Sequence, residues 1–195
     1  MGTYIKLLKK FEKNIEKKGL TITVSGLSGT GKTSFAKKLA ELTGLKYMSA
    51  GKIFREIAKE RNMPLEEFSK KREKGIDIMI DKKTLELAQK GGYVLDGRMT
   101  GAVAGDYADE RVFIKARKEL IAQRVAEREG KTPKQAIEDI KKRDKADTQK
   151  YLEIYGVEPE KMNIYTKIIE NNGTYEGLMK KAELLAKQCL DKASK

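Results

Sequence analysis

"LTITVSGLSGTGKTSFAKKLAELTG", residues Leu20–Gly44, decides the fold. "LTITV" is compact and β-branched, the profile of a strand covered on both faces of a parallel sheet. "KTSFAKKLAELTG" reads as a helix closed by Gly44. Between them Gly26, Gly31, Lys32 and Thr33 satisfy G-x-x-x-x-G-K-[ST], and a strand before with a helix after is the context that gives this spacing its meaning. The chemistry dictates the residue types. Glycines let successive backbone N–H groups converge on phosphate oxygens, and the following helix adds its positive N-terminal end. Lys32 is spaced to reach β- and γ-phosphates, and the Thr33 hydroxyl to ligate Mg2+. The expected ATP-binding stretch is therefore Gly26, Leu27, Ser28, Gly29, Thr30, Gly31, Lys32, Thr33 and Ser34.

Outward from this loop the chain alternates. Ser49-Ala50-Gly51 opens a helix to about Arg61, Pro64 starts a short one, and "IDIMIDKKTLELAQK" makes a longer one. "GYVLD" (92–96) and "RVFIKA" (111–116) are strands, "YTKIIEN" (165–171) is a weaker one, and "TYEGLMKKAELLAKQCLDKA" closes the chain as a helix. Strands alternating with helices predict an α/β fold, a parallel sheet wrapped on both faces. One stretch breaks the rhythm: residues 117–161 carry helix without strand and are rich in charge. Thr132-Pro133-Lys134-Gln135 joins an N-cap threonine, a proline at the first helical position and a glutamine in capping-box position, so "REGKTP" is a turn between two helices. A polar helical hairpin standing off the core suits a lid. Residues 4–18 read as a basic amphipathic helix, with Tyr4, Leu8, Phe11 and Ile15 on one face. We expect it to pack on its own domain or on a subunit neighbour; a membrane-surface or RNA-binding arm is the competing reading.

The composition narrows the chemistry. Of 195 residues, 42 are Lys or Arg and 29 Asp or Glu, a net charge of +13 that suits polyanionic ligands or a lysine-rich solvated surface. There is no histidine, which excludes a Ser-His-Asp triad and a histidine-ligated metal. The one cysteine, Cys189, lies on the helical stripe Leu178, Ala182, Leu185, Cys189 and reads as buried packing; it excludes an internal disulfide. No apolar run is long enough to span a membrane, and the expectation is a cytoplasmic protein.

A phosphate loop says nucleoside triphosphate and leaves the purpose open. GTPase switches need an Asn-Lys-x-Asp segment, which is absent, and large motor ATPases need more chain. A small-molecule kinase needs a second pocket, and the sequence offers one. In "YVLDGRMTG", Asp96 ends an apolar strand where its carboxylate can hold the hydration shell of Mg2+, and Arg98 follows at the strand ends, where ligands bind in open α/β sheets. Arg55 lies on the helix after "SAG"; Arg124 and Arg128 sit four apart at the foot of the hairpin, and Arg143 and Asp147 four apart on its second helix. Guanidinium forks neutralise a transferring phosphoryl group bidentately, although i,i+4 charges also decorate any exposed helix.

"GLSGTGKTSFAKKLAELTGLKYMSAGKIFREIAKERNM", "VLDGR", "RVAEREGK" and "KRDKADTQKYLEIYG", in that order, resemble cytidylate kinases of the archaeal and bacterial type, over roughly Thr21–Asn172. The resemblance implies a nucleoside-monophosphate kinase: a three-layer P-loop core, a helical acceptor-binding segment at about 49–91 and a lid at about 117–161. It implies transfer from ATP to CMP or dCMP with Mg2+, by a monomer that requires neither nucleic acid nor membrane. By position, Ser49, Arg55 and Arg98 match residues that grip the acceptor phosphate. Arg124 and Arg128 match lid arginines near the ATP phosphates, and Arg143 with Asp147 matches a pair on the CMP side. Thr33 and Asp96 are then the metal side of the site, and Lys32, Arg98, Arg124, Arg128 and Arg143 the catalytic set. The chain departs from the pattern at Lys150, where arginine is usual, at Arg117 in place of proline, and at Ile121 in a frequent arginine position. AMP or UMP as acceptor, and a P-loop RNA-binding or regulatory ATPase, are the alternatives.

Overall fold

The computed structural model describes residue 8 and residues 10–64, 67–68, 74–156 and 162–193. The phosphate-loop strand β1 (Thr21–Ser25) lies at the centre of a five-stranded parallel sheet, with β3 (Tyr93–Asp96) on one side and β4 (Glu110–Lys115) on the other. β5 (Lys167–Glu170) extends the sheet beyond β4. The far edge is β2 (Lys46–Ser49), a strand that the sequence reading leaves unassigned. It is four residues long and half-exposed, too short for periodicity to reveal. The order is β2-β3-β1-β4-β5. Val24 and Ser49 both register with Asp96, so three strand ends meet at one rim.

All five residues of β1 are buried, as its β-branched run requires. One face is covered by α1 (Lys32–Thr43) and α7 (Tyr175–Ala193): Phe35 and Leu39 meet Ile22, Val112 and Ile114, and Leu178, Ala182, Leu185 and Cys189 close over them. The cysteine is core packing, as its stripe predicts. The other face is covered by α2 (Ala50–Glu60) and α3 (Lys74–Lys90), which bring Ile53, Ile57, Ile80 and Leu87 against Leu95. Helix, sheet, helix gives the expected three layers. The short helix expected at Pro64 lies partly outside the described residues; within them, the Phe68 N–H donates to the Pro64 carbonyl at 2.9 Å and Phe68 is buried.

A five-residue helix absent from the sequence reading, α4 (Thr100–Ala104), follows β3. The expected hairpin is present as α5 (Lys118–Glu129) and α6 (Pro133–Tyr155), joined through Gly130 in a left-handed conformation. The capping box is formed in full: Thr132 Oγ1 accepts from the Gln135 N–H at 3.3 Å and Gln135 Oε1 accepts from the Thr132 N–H at 3.0 Å.

The amphipathic helix expected over 4–18 requires correction over 10–18. Residues 1–7 and 9 lie outside the described residues, residue 8 is helical, and 10–18 are not. Their backbone groups bond across to the end of α3 instead. The Lys13 N–H donates to Gln89 Oε1, Gln89 Nε2 donates to the Lys13 carbonyl at 3.1 Å, and the Lys18 N–H donates to the Lys90 carbonyl at 2.7 Å. Leu8 and Phe11 still supply the apolar face, packed among Leu85, Met99 and Val103. Lys82 stands 4.5 Å over the Phe11 ring, and Lys17 pairs with Asp109 at 2.6 Å. The segment is thus an extended strap packed on its own domain. Among the described residues, no helix is long and apolar enough to cross a membrane.

Candidate active site

The rim where β1, β2 and β3 end opens into a cleft of about 830 Å³. Its lining includes Lys32, Thr33 and Lys37 of α1, Tyr47 and Ser49 of β2, Lys52 and Arg55 of α2, Asp96 and Arg98 at the end of β3, and Tyr151 of α6. Six of the residues expected from sequence are therefore brought together: Lys32, Thr33, Ser49, Arg55, Asp96 and Arg98.

The loop from Gly26 to Gly31 is held in one shape by its neighbours. Gly31 caps α1 with φ +88°, and a Cβ there would stand 2.5 Å from Asn171 Nδ2. Gly29, at φ +78°, sits against α5, where a Cβ would meet Ile121 Cγ2 at 2.8 Å. Both positions demand glycine on conformation and on space. Thr30 Oγ1 donates to the Leu27 carbonyl at 2.8 Å, and Lys32 Nζ to the same carbonyl at 3.3 Å. The first N–H groups of α1 face this loop without a side-chain cap, the arrangement that receives an anion. Burial lowers the Lys32 pKa below its ordinary value, against the pull of Asp96, and the nearby charges of Arg98 and Arg128 lower it further. A buried cation short of counter-charge is a group built for a phosphate.

Asp96 is almost fully buried, and one of its oxygens is doubly engaged. Oδ2 accepts from Thr33 Oγ1 at 2.8 Å and from the Tyr47 hydroxyl at 2.8 Å. Oδ1 is buried with no hydrogen-bond partner among the described residues. Burial first, then Asp96, pushes the Tyr47 phenol up to about 12. An orphaned carboxylate oxygen beside a threonine hydroxyl fits a hydrated Mg2+, which keeps most of its waters and takes few protein oxygens. No group of three or more acidic, cysteine or histidine side chains is arranged for a metal among the described residues.

Arg98 is placed by a staple between its turn and β1. The Gly97 N–H donates to the Val24 carbonyl at 3.2 Å, the Gly101 N–H donates to Ser25 Oγ at 3.1 Å, and Ser25 Oγ lies 3.2 Å from Thr100 Oγ1. Arg98 also hydrogen-bonds the Tyr151 hydroxyl; burial pushes that phenol up while Arg98 opposes the shift. On the facing side, Ser49 caps α2, its Oγ accepting from the Lys52 N–H at 3.1 Å.

The lid arginines stand elsewhere. Arg124 donates to the Asn171 and Gly173 carbonyls, both at 3.1 Å, and so fastens the loop after β5. Arg128 is half-exposed and pairs with Glu129 at 2.7 Å, though its charge still acts on Lys32. The side chains of Arg143 and Asp147 lie outside the described residues. Sequence reasoning missed Tyr47, Asn171 and Tyr151. Each acts across a long stretch of chain, and no local motif announces it.

A model of the "Cytidylate kinase-like family" matches residues 21–173. A cytidylate kinase of Methanopyrus kandleri is 42% identical over 164 residues, covering 78% of this chain and 85% of that one. A cytidylate kinase of Pyrococcus horikoshii is 41% identical over 155 residues, covering 78% and 80%. Among solved structures, a shikimate kinase from Bacteroides thetaiotaomicron superposes with a TM-score of 0.61 at 14% identity, covering 88% of this chain and 98% of that one. A gluconokinase from Sinorhizobium meliloti gives 0.55 at 16%, covering 89% and 94%. At such identities these two share the fold alone.

Proposed function

The chain belongs to the cytidylate kinase-like family, and from that premise we infer that it transfers the γ-phosphoryl group of ATP to CMP, and to dCMP, with Mg2+. The observation that carries this reading is one cleft holding two sets of phosphate-binding groups: Lys32 and Thr33 at the start of α1 with Asp96 at the end of β3, and Arg55 of α2 with Arg98 of the turn after β3.

In this reading the N–H groups of loop 26–31 and the Lys32 ammonium hold the β- and γ-phosphates. Thr33 and Asp96 hold hydrated Mg2+, whose role when bound is to neutralise charge as it shifts from the γ- to the β-phosphate. Arg55, Arg98 and the N-terminus of α2 at Ser49 orient the acceptor monophosphate. That phosphate is already anionic at neutral pH, so no strong general base is needed, in keeping with a chain that has no histidine. Positioning and electrostatics do the rest. The hairpin α5–α6 is the lid, and its closure brings Arg124 and Arg128 to the ATP phosphates and excludes water. Arg143 and Asp147 are assigned to the CMP side by their place in the family's motif. We take the single chain as the active unit, in a cytoplasmic setting with no need of nucleic acid or membrane.

The test is ADP formation from Mg-ATP with CMP, dCMP, UMP, AMP or GMP, each against a control without acceptor. CMP and dCMP are expected to stimulate most. Stimulation by another monophosphate keeps the chemistry and changes the acceptor; a rate indifferent to every acceptor overturns the reading.

A further inference from the structure

Asp96 is held by two donors from different parts of the fold, and only one of them belongs to the phosphate-binding motif. Thr33 reaches it from α1, and Tyr47 reaches the same oxygen from β2, forty-nine residues away along the chain. The β2–β3 register, Ser49 opposite Asp96, is what carries the phenol there. A carboxylate turns readily about its last bond, because that torsion is broad and nearly two-fold. With Thr33 alone, the carboxylate can swing through a range of torsion angles and keep its single bond. With hydroxyls from two elements converging on Oδ2, such a swing strains one bond or the other, so the unengaged Oδ1 is held in one place.

We propose that Tyr47 is a positioning residue for the metal: its hydroxyl fixes the Asp96 carboxylate in the orientation that keeps the second oxygen available to hydrated Mg2+. The inference rests on the reading of the cleft as a site for nucleotide with Mg2+. Tyr47 does not bind the metal. It acts through Asp96, as partners of ligating groups do when they fix orientation. Tyr47 also lines the cleft.

Tyr47→Phe removes one oxygen and keeps the ring. The experiment titrates Mn2+ into protein with saturating ADP, followed by electron paramagnetic resonance, and measures ADP affinity in EDTA by calorimetry. The variant is expected to need about tenfold more Mn2+ for half-saturation, with metal-free ADP affinity and melting temperature close to those of the parent chain. An unmoved Mn2+ midpoint in the variant, beside a normal parent, overturns the inference alone. So does an equal loss of metal-free ADP affinity, which would make Tyr47 a wall of the pocket. If the parent chain itself shows no tightening of ADP by metal, the inference falls together with the metal reading.

Discussion

The Asn171 side-chain amide donates a 2.9 Å hydrogen bond to the Thr30 carbonyl, across 141 residues of chain. The same residue donates its backbone N–H to the Lys115 carbonyl at 2.8 Å and accepts from Arg124. One asparagine thus ties the phosphate loop, the end of β4 and the foot of the lid. Asn171→Ala leaves the Thr30 carbonyl unpaired in a buried place and is expected to cost about 1–3 kcal/mol of stability. ADP affinity should fall as well, because the loop loses its brace. Thermal unfolding and calorimetry with ADP check both.

Lys32 gives the nucleotide-free protein a pH signature. Its folded pKa is lowered below the ordinary lysine value of 10.5, mainly by burial. Between the lowered value and 10.5 the unfolded chain binds more protons than the folded one, so this group's contribution to stability rises with pH. Relative to a Lys32→Met variant, the parent chain should be weakest at neutral pH and gain as pH climbs toward 10.5. Paired melts from neutral to alkaline pH read the difference; a gap that widens with pH contradicts it.

Arg98 is fixed by its turn and by Tyr151, and in the proposed reaction an alanine there leaves the acceptor phosphate without a guanidinium. Turnover with CMP is expected to fall on the order of 10³-fold, with ADP binding little changed. Initial rates over a CMP series, beside calorimetry with ADP, separate that loss from a damaged loop. Unaltered turnover would remove Arg98 from the site.

Gly29→Ala is a test of packing between loop and lid. The added methyl would meet Ile121 Cγ2 at 2.8 Å and Val125 Cγ2 at 2.9 Å, at φ +78°. Left-handed strain of about 1–2 kcal/mol adds to overpacking of about 1–3 kcal/mol, so a loss of roughly 2–5 kcal/mol is expected. Chemical denaturation measures it directly.

The loop, Asp96 and Arg98 were legible because each belongs to a contiguous run whose strand and helix context is local. The lid hairpin was legible through a complete capping signature, Thr132 to Gln135. β2 was not, since four half-exposed residues leave no period to detect. Residues 10–18 were misread because Phe11 and Ile15 continue a helical stripe from Leu8, while hydrogen bonds to Gln89 and Lys90 decide their path and no local pattern encodes them. Tyr47, Asn171 and Tyr151 escaped for the same reason: their partners are brought near by strand register and helix packing.

The strap also bears on how the protein must be handled. It lies ahead of the stretch shared with the family, and a chain trimmed to that stretch would uncover Leu85, Met99 and Val103 together. Buried apolar side chains exposed as one patch invite self-association. Such a trimmed protein would be expected to precipitate at concentrations the full chain tolerates, even with its catalytic groups intact.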